Sequence, residues 1–362
     1  VVDNGVNSAA IVAADLVEFG DTAAVRERIA KEIGIPAGHI LITASHSHNA
    51  PRVGMVSQGA KAYAGGPGTA EYTKMVYDQI VEVVRQAKAA LQPAKVGVGA
   101  GAADVNVNRD EFTSQGWKLG TNYEGPSEKT VWVVKFESIT GEPIAILMNY
   151  AVHSVILGPE NRLVTGDLAG AVERYVEQYY KDKAVALWTI GAAGDQNPKY
   201  MCWDTTWTQK DRVPGFPLMD ALGQILGEEV VRVAYRIERM VSDVRIEAEM
   251  RVVSCPAKAQ TRSGNTPSLQ TDLLNIYLGL VLINHIAITS VSGEVTTNIY
   301  RRLRKESPFT NTILVTMAND RIGYIVDDAS YDIPTFEAAA TPLQRGCEAV
   351  IINSLVEMMN KY

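Results

Sequence analysis

The stretch Ile40-Leu41-Ile42-Thr43-Ala44-Ser45-His46-Ser47-His48-Asn49-Ala50-Pro51 joins an apolar strand directly to a pair of histidines. Residues two apart on a strand share a face, so where this strand ends both imidazoles can lean over the edge of a sheet. The chain has only five histidines, and two of them lie here. Imidazole is the commonest metal ligand and transfers protons near neutral pH. The stretch therefore predicts a metal or catalytic site; the alternative is two polar residues in a loop.

The composition is that of a globular protein, with 46% hydrophobic and 21% charged residues. A net charge of −7 argues against electrostatic binding to nucleic acid. No apolar run reaches the roughly 18 residues that a membrane helix requires. A length of 362 residues fits one α/β domain, so a single catalytic domain over residues 1–362 is predicted.

The three cysteines, Cys202, Cys255 and Cys347, lie far apart and lack CxxC spacing. They predict neither a disulfide framework nor a thiolate zinc site, and one disulfide with a free thiol stays open. The chain starts at Val1 in a strand-and-turn pattern without an initiator methionine, so we expect preceding residues to be missing.

Strand and helix patterns alternate along the chain. Ala9–Ala14 and Ile40–Ala44 are patterned as buried strands with an amphipathic helix, Thr22–Ile33, between them, which predicts a parallel βαβ unit. Further strands are predicted at Lys95–Val105, Thr130–Ser138, Pro143–Tyr150, Ala184–Ile190, Arg245–Val253, Ile286–Val291 and Thr312–Met317. Further helices are predicted at Glu71–Ala90, Gly170–Tyr180, Leu218–Arg236 and Thr341–Asn360, with a Gly-rich loop at Gly54–Gly68. The predicted fold class is α/β, as a layered α/β/α domain with a mixed central sheet.

Chemically capable side chains follow the ends of several of these strands. They are His46 and His48, His153, Asp195, Glu294 and Tyr324. Open α/β sheets place their sites at the carboxyl ends of strands, and histidine, glutamate and tyrosine are the donors of a zinc site built from nitrogen and oxygen ligands. Each residue alone also has a structural alternative, such as a core histidine or a carboxylate that caps a helix. The coincidence of several favours a site.

The chain resembles the neutral (non-lysosomal) ceramidases in a series of motifs that keep the family's order. Ala44–Pro51 resembles ASHTHSxPG, and Asn108-Arg109 resembles NR(S)P. The remaining similar segments are Asn149–His153 (N-W-F-A-x-H), Leu163–Gly170 (L-x-S-S/G-D-x-x-G), Gly191–Pro198 (S-N-x-G-D-x-S-P), Gly293–Arg304 (GEFTTMxGRRLR) and Asn319–Thr341, which ends like YEAAST. The resemblance extends over essentially the whole chain.

This resemblance implies a zinc amidase fold in which a zinc-bound water attacks the acyl carbon. The residues that would hold the zinc ion are His46, His153, Glu294 and Tyr324. His48 and Arg109 would line the amide site. We assign Asp195 to the same catalytic group, with capping of a helix or turn as its alternative. The resemblance also implies a small-molecule or lipid-like substrate and a periplasmic or secreted location.

Two departures from the family pattern bear on the substrate. Gly191 stands where the family has an active-site serine, and Phe336 stands where it has a tyrosine. A zinc hydrolase does not need the serine, but losing an oxyanion donor typically lowers the rate by about 10²–10³ on an unchanged substrate. The chain also ends at Tyr362 in a predicted helix, so we expect no C-terminal β-sandwich domain.

The predicted function is therefore a zinc-dependent hydrolase that cleaves an amide or ester other than long-chain ceramide. The predicted substrate-contacting positions are Gly191, Tyr331, Phe336 and Trp203. The segment Tyr200–Trp207 is either an aromatic lid or loop packing. Two alternatives stay open: a zinc lyase that uses the metal as a Lewis acid, and a non-catalytic descendant that binds a ligand.

Overall fold

The computed structural model of the chain describes residues 1–54, 65–203, 215–258 and 273–362. Its strands are β1 (Val2–Asp3), β2 (Ser8–Ala14), β3 (Ile40–Ala44), β4 (Ala94–Ala102), β5 (Asn106–Thr113), β6 (Gly116–Asn122), β7 (Thr130–Ser138), β8 (Pro143–Tyr150), β9 (Val185–Ile190), β10 (Gln196–Pro198), β11 (Ile246–Pro256), β12 (Leu273–Ile283), β13 (Ile286–Val291), β14 (Glu294–Val295), β15 (Asn311–Val315) and β16 (Tyr324–Ile325). Its α-helices are α1 (Ala23–Ile33), α2 (Thr69–Ala89), α3 (Asp167–Tyr179), α4 (Gly215–Arg236), α5 (Thr297–Glu306), α6 (Phe336–Ala340) and α7 (Cys347–Asn360). Short 3₁₀ turns lie at Ala37–His39 and Asp328–Asp332.

Two four-stranded sheets, β4-β7-β8-β9 and β11-β12-β13-β15, face each other across the interior. In β7, Trp132 and Val134 point between the sheets, whereas Val131 and Val133 point outward to a core shared with α3 and α4. The second sheet alternates in the same way and packs outward against α5 and α7. Both sheets are mixed, because the β8–β9 and β13–β15 pairs are parallel and the others antiparallel. The α/β class and its mixed sheets are confirmed, with two facing sheets in the centre where one was predicted.

The N-terminal segment forms the predicted βαβ unit. Strands β2 and β3 pair in parallel, with Ala10 opposite Ile40, and α1 connects them. Helix α1 ends at Gly34, whose φ of 80° lets its N–H bond the Ala30 carbonyl. The apolar faces of α1 and α2 cover this three-stranded sheet, so the histidine pair after β3 emerges from a fully packed strand.

Polar side chains tie the ends of three strands together beside the histidine pair. The Asn319 side-chain oxygen accepts from the Ile42 N–H at 2.9 Å, and the Thr43 hydroxyl donates to the Thr316 carbonyl at 2.9 Å. The Thr316 N–H in turn donates to the Ile190 carbonyl at 2.9 Å. The carboxyl ends of β3, β9 and β15 are therefore fixed at one edge, where α/β proteins place their sites.

Some predicted elements differ from those observed. The predicted closing helix Thr341–Asn360 begins only at Cys347, as α7, because Pro342 has no N–H to donate and Gly346 adopts a φ of 104° just before α7. The β5–β6 hairpin and β12 were not predicted as strands. Most of the predicted loop Gly54–Gly68 lies outside the described residues. Within the described part of the chain, no helix combines the length and apolar character needed to cross a bilayer.

Candidate metal centre

His46 is held in a fixed orientation immediately after β3. Its backbone adopts the left-handed region with φ 60°, an uncommon conformation for a residue with a Cβ. Its Nδ1 lies 2.6 Å from the Val17 carbonyl, so Nδ1 carries the proton and donates. The ring is buried and its free Nε2 lone pair points into the site.

His153, which follows β8, is held in the same manner from the opposite side. Its Nδ1 lies 3.0 Å from the Gln196 carbonyl, and the backbone N–H of His153 donates to that carbonyl at 3.1 Å. Arg109 Nη1 lies 3.3 Å from Nε2. Burial and the positive charge of Arg109 lower the pKa of His153 to about 4, so the ring is neutral at pH 7 with its lone pair on Nε2.

Glu294 brings a carboxylate between these two rings. Its Oε2 lies 3.4 Å from His46 Nε2 and 3.5 Å from His153 Nε2, and it has no hydrogen-bond partner among the described residues. The other oxygen, Oε1, lies 3.5 Å from Arg321 Nη2, which orients the carboxylate.

The spacing of these donors fits a metal ion. A tetrahedral zinc with ligands at about 2.0–2.1 Å has donor atoms about 3.3–3.4 Å apart. His48 Nε2 lies 3.3 Å from His46 Nε2. Glu294 Oε2 lies 3.4 Å from His46 Nε2 and 3.5 Å from His153 Nε2. The ligand atoms of His46, His48 and His153 all lie within 4.8 Å of one another. Three imidazole nitrogens and a carboxylate oxygen that converge in this way could hold a metal ion.

Two residues compete for the fourth position. His48 lies against His46 but keeps an exposed edge, and the protein around its ring and the two neighbouring imidazoles lower its pKa well below the ordinary value. Tyr324 pairs with Glu294 in the parallel register of β14 and β16, so both side chains start from one edge. Its hydroxyl accepts from Arg109 Nη2 at 2.9 Å. Tyr324 is therefore linked to the centre through Arg109, which also contacts His153.

Arg109 is the buried cation of the site. Its Nε donates to Glu337 Oε1 at 2.6 Å, and its guanidinium carbon lies 5.5 Å from the Tyr324 ring centre and 5.8 Å from that of Phe336. Burial alone would lower the pKa of Arg109, but the Tyr324 hydroxyl and the Glu337 carboxylate raise it above the ordinary value. Phe336 is half exposed and meets Tyr324 edge to face, so it forms part of the rim.

Asp195 supports the site through Thr297, Asn108 and the backbone of Arg109. Its Oδ1 accepts from the N–H and hydroxyl of Thr297 at 3.0 and 2.8 Å, and its Oδ2 accepts from Asn108 at 3.2 Å. Its carbonyl accepts the Arg109 N–H at 3.0 Å. Burial raises the pKa of Asp195 to about 6 despite these bonds. This geometry matches the capping alternative, with Asp195 fixing the start of α5 and the backbone of Arg109.

Two of the predicted substrate residues, Trp203 and Tyr331, make their contacts elsewhere in the described structure. Trp203 is buried in the core beside α3 and α4 and donates from its indole to the Val155 carbonyl at 2.6 Å, which favours packing over a lid. The Tyr331 hydroxyl donates to the Leu343 carbonyl, and its ring lies under Lys258 and Arg345. Gly191 is enclosed by backbone, and a Cβ there would lie 3.2 Å from Ala151 N and from Asn149 Oδ1. Trp207 lies outside the described residues.

Sequence reasoning missed several groups that build the site. Glu337 binds Arg109, and Arg321 lies beside Glu294. In both pairs the two residues come from different segments of the chain. The carbonyls of Val17 and Gln196, which select the histidine tautomers, carry no side-chain signal. The only local hint was an acidic residue in the short Phe336–Ala340 segment.

The chain is similar to known proteins in both sequence and fold. Residues 3–212 match the family described as neutral/alkaline non-lysosomal ceramidase, N-terminal. Neutral ceramidases A and B of Dictyostelium discoideum are 25% identical over 170 residues and 26% over 140, which is 44% and 36% of this chain. These segments span only 23% and 19% of the two relatives.

Solved structures show the same fold. The neutral ceramidase from Pseudomonas aeruginosa superposes with a TM-score of 0.75 at 17% identity, over 96% of this chain and 65% of the other. A ceramidase in complex with C2 gives a TM-score of 0.77 at 17% identity, over 96% and 66%. The family match covers more than half of the chain, and the fold agrees over nearly all of it. The chain belongs to the neutral/alkaline non-lysosomal ceramidase family.

Proposed function

We propose that this chain is a zinc-dependent hydrolase that cleaves an amide or ester bond in a compact substrate other than long-chain ceramide. Family membership supports hydrolysis. The observation that carries the proposal is the position of Glu294 Oε2, which lies 3.4 Å from His46 Nε2 and 3.5 Å from His153 Nε2. This oxygen has no hydrogen-bond partner among the described residues. The fourth ligand in this proposal is Tyr324, as the resemblance implies.

Nitrogen and oxygen donors suit zinc, which would polarise the scissile carbonyl and make water a stronger nucleophile. The chain's own residues supply the rest. His48 is neutral at pH 7 and partly open to solvent, so it is placed to take up a proton or to donate to a substrate oxygen. Arg109 stays charged and presents its guanidinium beside Tyr324, where it stabilises negative charge that develops on the acyl oxygen.

The substrate part of the proposal rests on Gly191 and Phe336. Gly191 offers no hydroxyl, and the ring of Phe336 on the rim offers an apolar face where a tyrosine would offer a hydrogen bond. A substrate hydroxyl or amide left without a partner in a dry site costs about 1–3 kcal/mol. An aryl or short acyl group fits this rim better than a polar sphingoid head. A periplasmic or secreted location, which the resemblance implies, belongs to the same proposal.

The test is a comparison of kcat/KM for a fluorescent short-acyl ceramide, small aryl esters and anilides, before chelation, after chelation and after zinc is restored. We expect chelation to abolish hydrolysis, zinc to restore it, and a small ester or anilide to exceed ceramide by about tenfold, or about 1.4 kcal/mol. Hydrolysis that survives complete chelation would refute the metal dependence. A ceramide preference of that size would refute the altered substrate.

A further inference from the structure

A second cluster of carboxylates lies behind Arg109, on the side away from the histidines. Glu337, in the first turn of α6, is almost fully buried and binds Arg109 Nε through Oε1 at 2.6 Å. Asp110, the next residue of β5, is half-buried and has Glu337 as its neighbouring carboxyl group. One arginine therefore faces two neighbouring carboxyl groups.

Two oxygen atoms of this cluster are unsatisfied. Glu337 Oε2 and Asp110 Oδ1 are both buried, and neither has a hydrogen-bond donor among the described residues. Two ionised carboxylates in contact would repel, and each orphaned oxygen would cost roughly 1–3 kcal/mol. A single proton between the two carboxyl groups satisfies both atoms and leaves one negative charge to balance Arg109.

We propose that Asp110 and Glu337 share one proton and that this carboxyl pair positions Arg109 against Tyr324 and His153. Asp110 is thus a positioning residue for the reaction, acting through Glu337. The role in turnover rests on the proposed function, whereas the shared proton does not. Arg109 makes contacts on both sides: Glu337 at Nε, and Tyr324 and His153 at 2.9 and 3.3 Å through its two terminal nitrogens.

The charges around Asp110 support the location of the proton. Burial and the neighbouring carboxyl groups of Glu337 and Asp195 raise the pKa of Asp110 to about 9, and Arg109 opposes this shift. Loss of the proton above that pH would leave excess negative charge in the cluster. Arg109 would then be drawn toward the carboxylates and away from Tyr324.

Three variants separate positioning from simple structural support. Asp110→Asn keeps a donor to Glu337 at every pH, and Asp110→Ala removes it. Glu111→Gln is the matched control, because Glu111 is the next residue of the same strand and its side chain contacts only exposed groups among the described residues, Lys118 at 3.7 Å and the Thr121 N–H at 3.4 Å. Infrared spectra of the metal-free and zinc-loaded protein report the carboxylic acid carbonyl directly, without any substrate.

We expect the spectrum of the wild type minus that of Asp110→Asn to show a protonated-carboxyl band at pH 7 that is lost near pH 9; the difference removes the band of other buried carboxyl groups such as Glu173. For turnover, Asp110→Ala should lower kcat by roughly 10–100-fold with little change in KM, the range seen for partners that orient a functional group. Asp110→Asn should restore kcat at pH 7 and shift the alkaline limb of the pH profile upward. No band in that difference spectrum would overturn the shared proton. An Asp110→Ala variant that behaves like Glu111→Gln, or an unshifted limb in Asp110→Asn, would overturn the positioning role. If the wild type turns over no substrate, the proposed function fails while the band still decides the proton.

Discussion

Gly194→Ala is expected to damage the metal centre without touching a ligand. A Cβ at Gly194 would lie 2.8 Å from the Glu294 carbonyl oxygen and 2.9 Å from the carbonyl carbon and oxygen of Val295. All three are backbone atoms of β14, so no side chain can rotate away. The Gly194 N–H also donates to the Val295 carbonyl at 2.9 Å, which holds the two segments close.

The magnitude follows from this geometry. Ordinary Cβ contacts begin near 3.4 Å, so β14 must retreat by about 0.5 Å, and overpacking of this kind costs about 1–3 kcal/mol. For 362 residues with an unfolding entropy of about 2.1 cal/mol/K each, this lowers Tm by about 1–4 °C. The displaced strand carries Glu294, so zinc affinity should fall by roughly 10–100-fold.

The assay is thermal unfolding with and without zinc, together with competition against a calibrated chelator. Gly66→Ala is the control, because a Cβ there meets nothing within 4 Å and Gly66 does not need a positive φ. We expect Gly66→Ala to match the wild type in both measurements. A Gly194→Ala protein with wild-type Tm and wild-type zinc affinity would refute the argument that this close approach positions Glu294.

Further predictions concern four residues. His48→Ala should retain zinc, and its turnover should fall by roughly 10²–10⁴-fold. Tyr324→Phe should weaken zinc binding. If metal analysis gives the opposite pattern, His48 is the fourth zinc ligand and Tyr324 is not. Burial and the neighbouring Asp15 raise the pKa of Glu173 to about 8, so the folded state binds the extra proton and stability falls as pH rises from about 4.5 to 8. Glu173→Gln should flatten that slope in thermal unfolding, and an unchanged slope would contradict the assignment. Trp203→Phe should lower Tm, because the indole hydrogen bond is lost, while KM stays constant. A large rise in KM with an unchanged Tm would instead support the assignment of Trp203 to a lid over the site.

The parts of the fold that the sequence predicts are those decided by local pattern. The bounds predicted for Ile40–Ala44, Thr130–Ser138, Pro143–Tyr150 and Ile286–Val291 are the observed ones, since apolar strands bounded by turn residues have a clear signal. The rule that sites lie at strand ends selected His46, His153 and Glu294 before any distance was known. The same rule selected Tyr324, and the family resemblance, confirmed by comparison, added Arg109.

The remainder depends on contacts that no local pattern encodes. Glu337 reaches Arg109 from 228 positions away in sequence, and its short helix has few residues to mark it. Trp203 could be assigned to a lid or to packing until the core beside α3 was seen. The choice between His48 and Tyr324 as the fourth ligand depends on side-chain direction at two strand ends, which spacing alone does not fix.

The most direct test of the account is the position of the metal. Anomalous diffraction at the zinc edge from zinc-loaded crystals would locate the ion without reference to activity. We predict one peak within about 2.0–2.2 Å of His46 Nε2, His153 Nε2 and Glu294 Oε2. A peak bound elsewhere, or no peak in crystals of protein shown to bind zinc in solution, would contradict the assignment of this cluster as the metal centre.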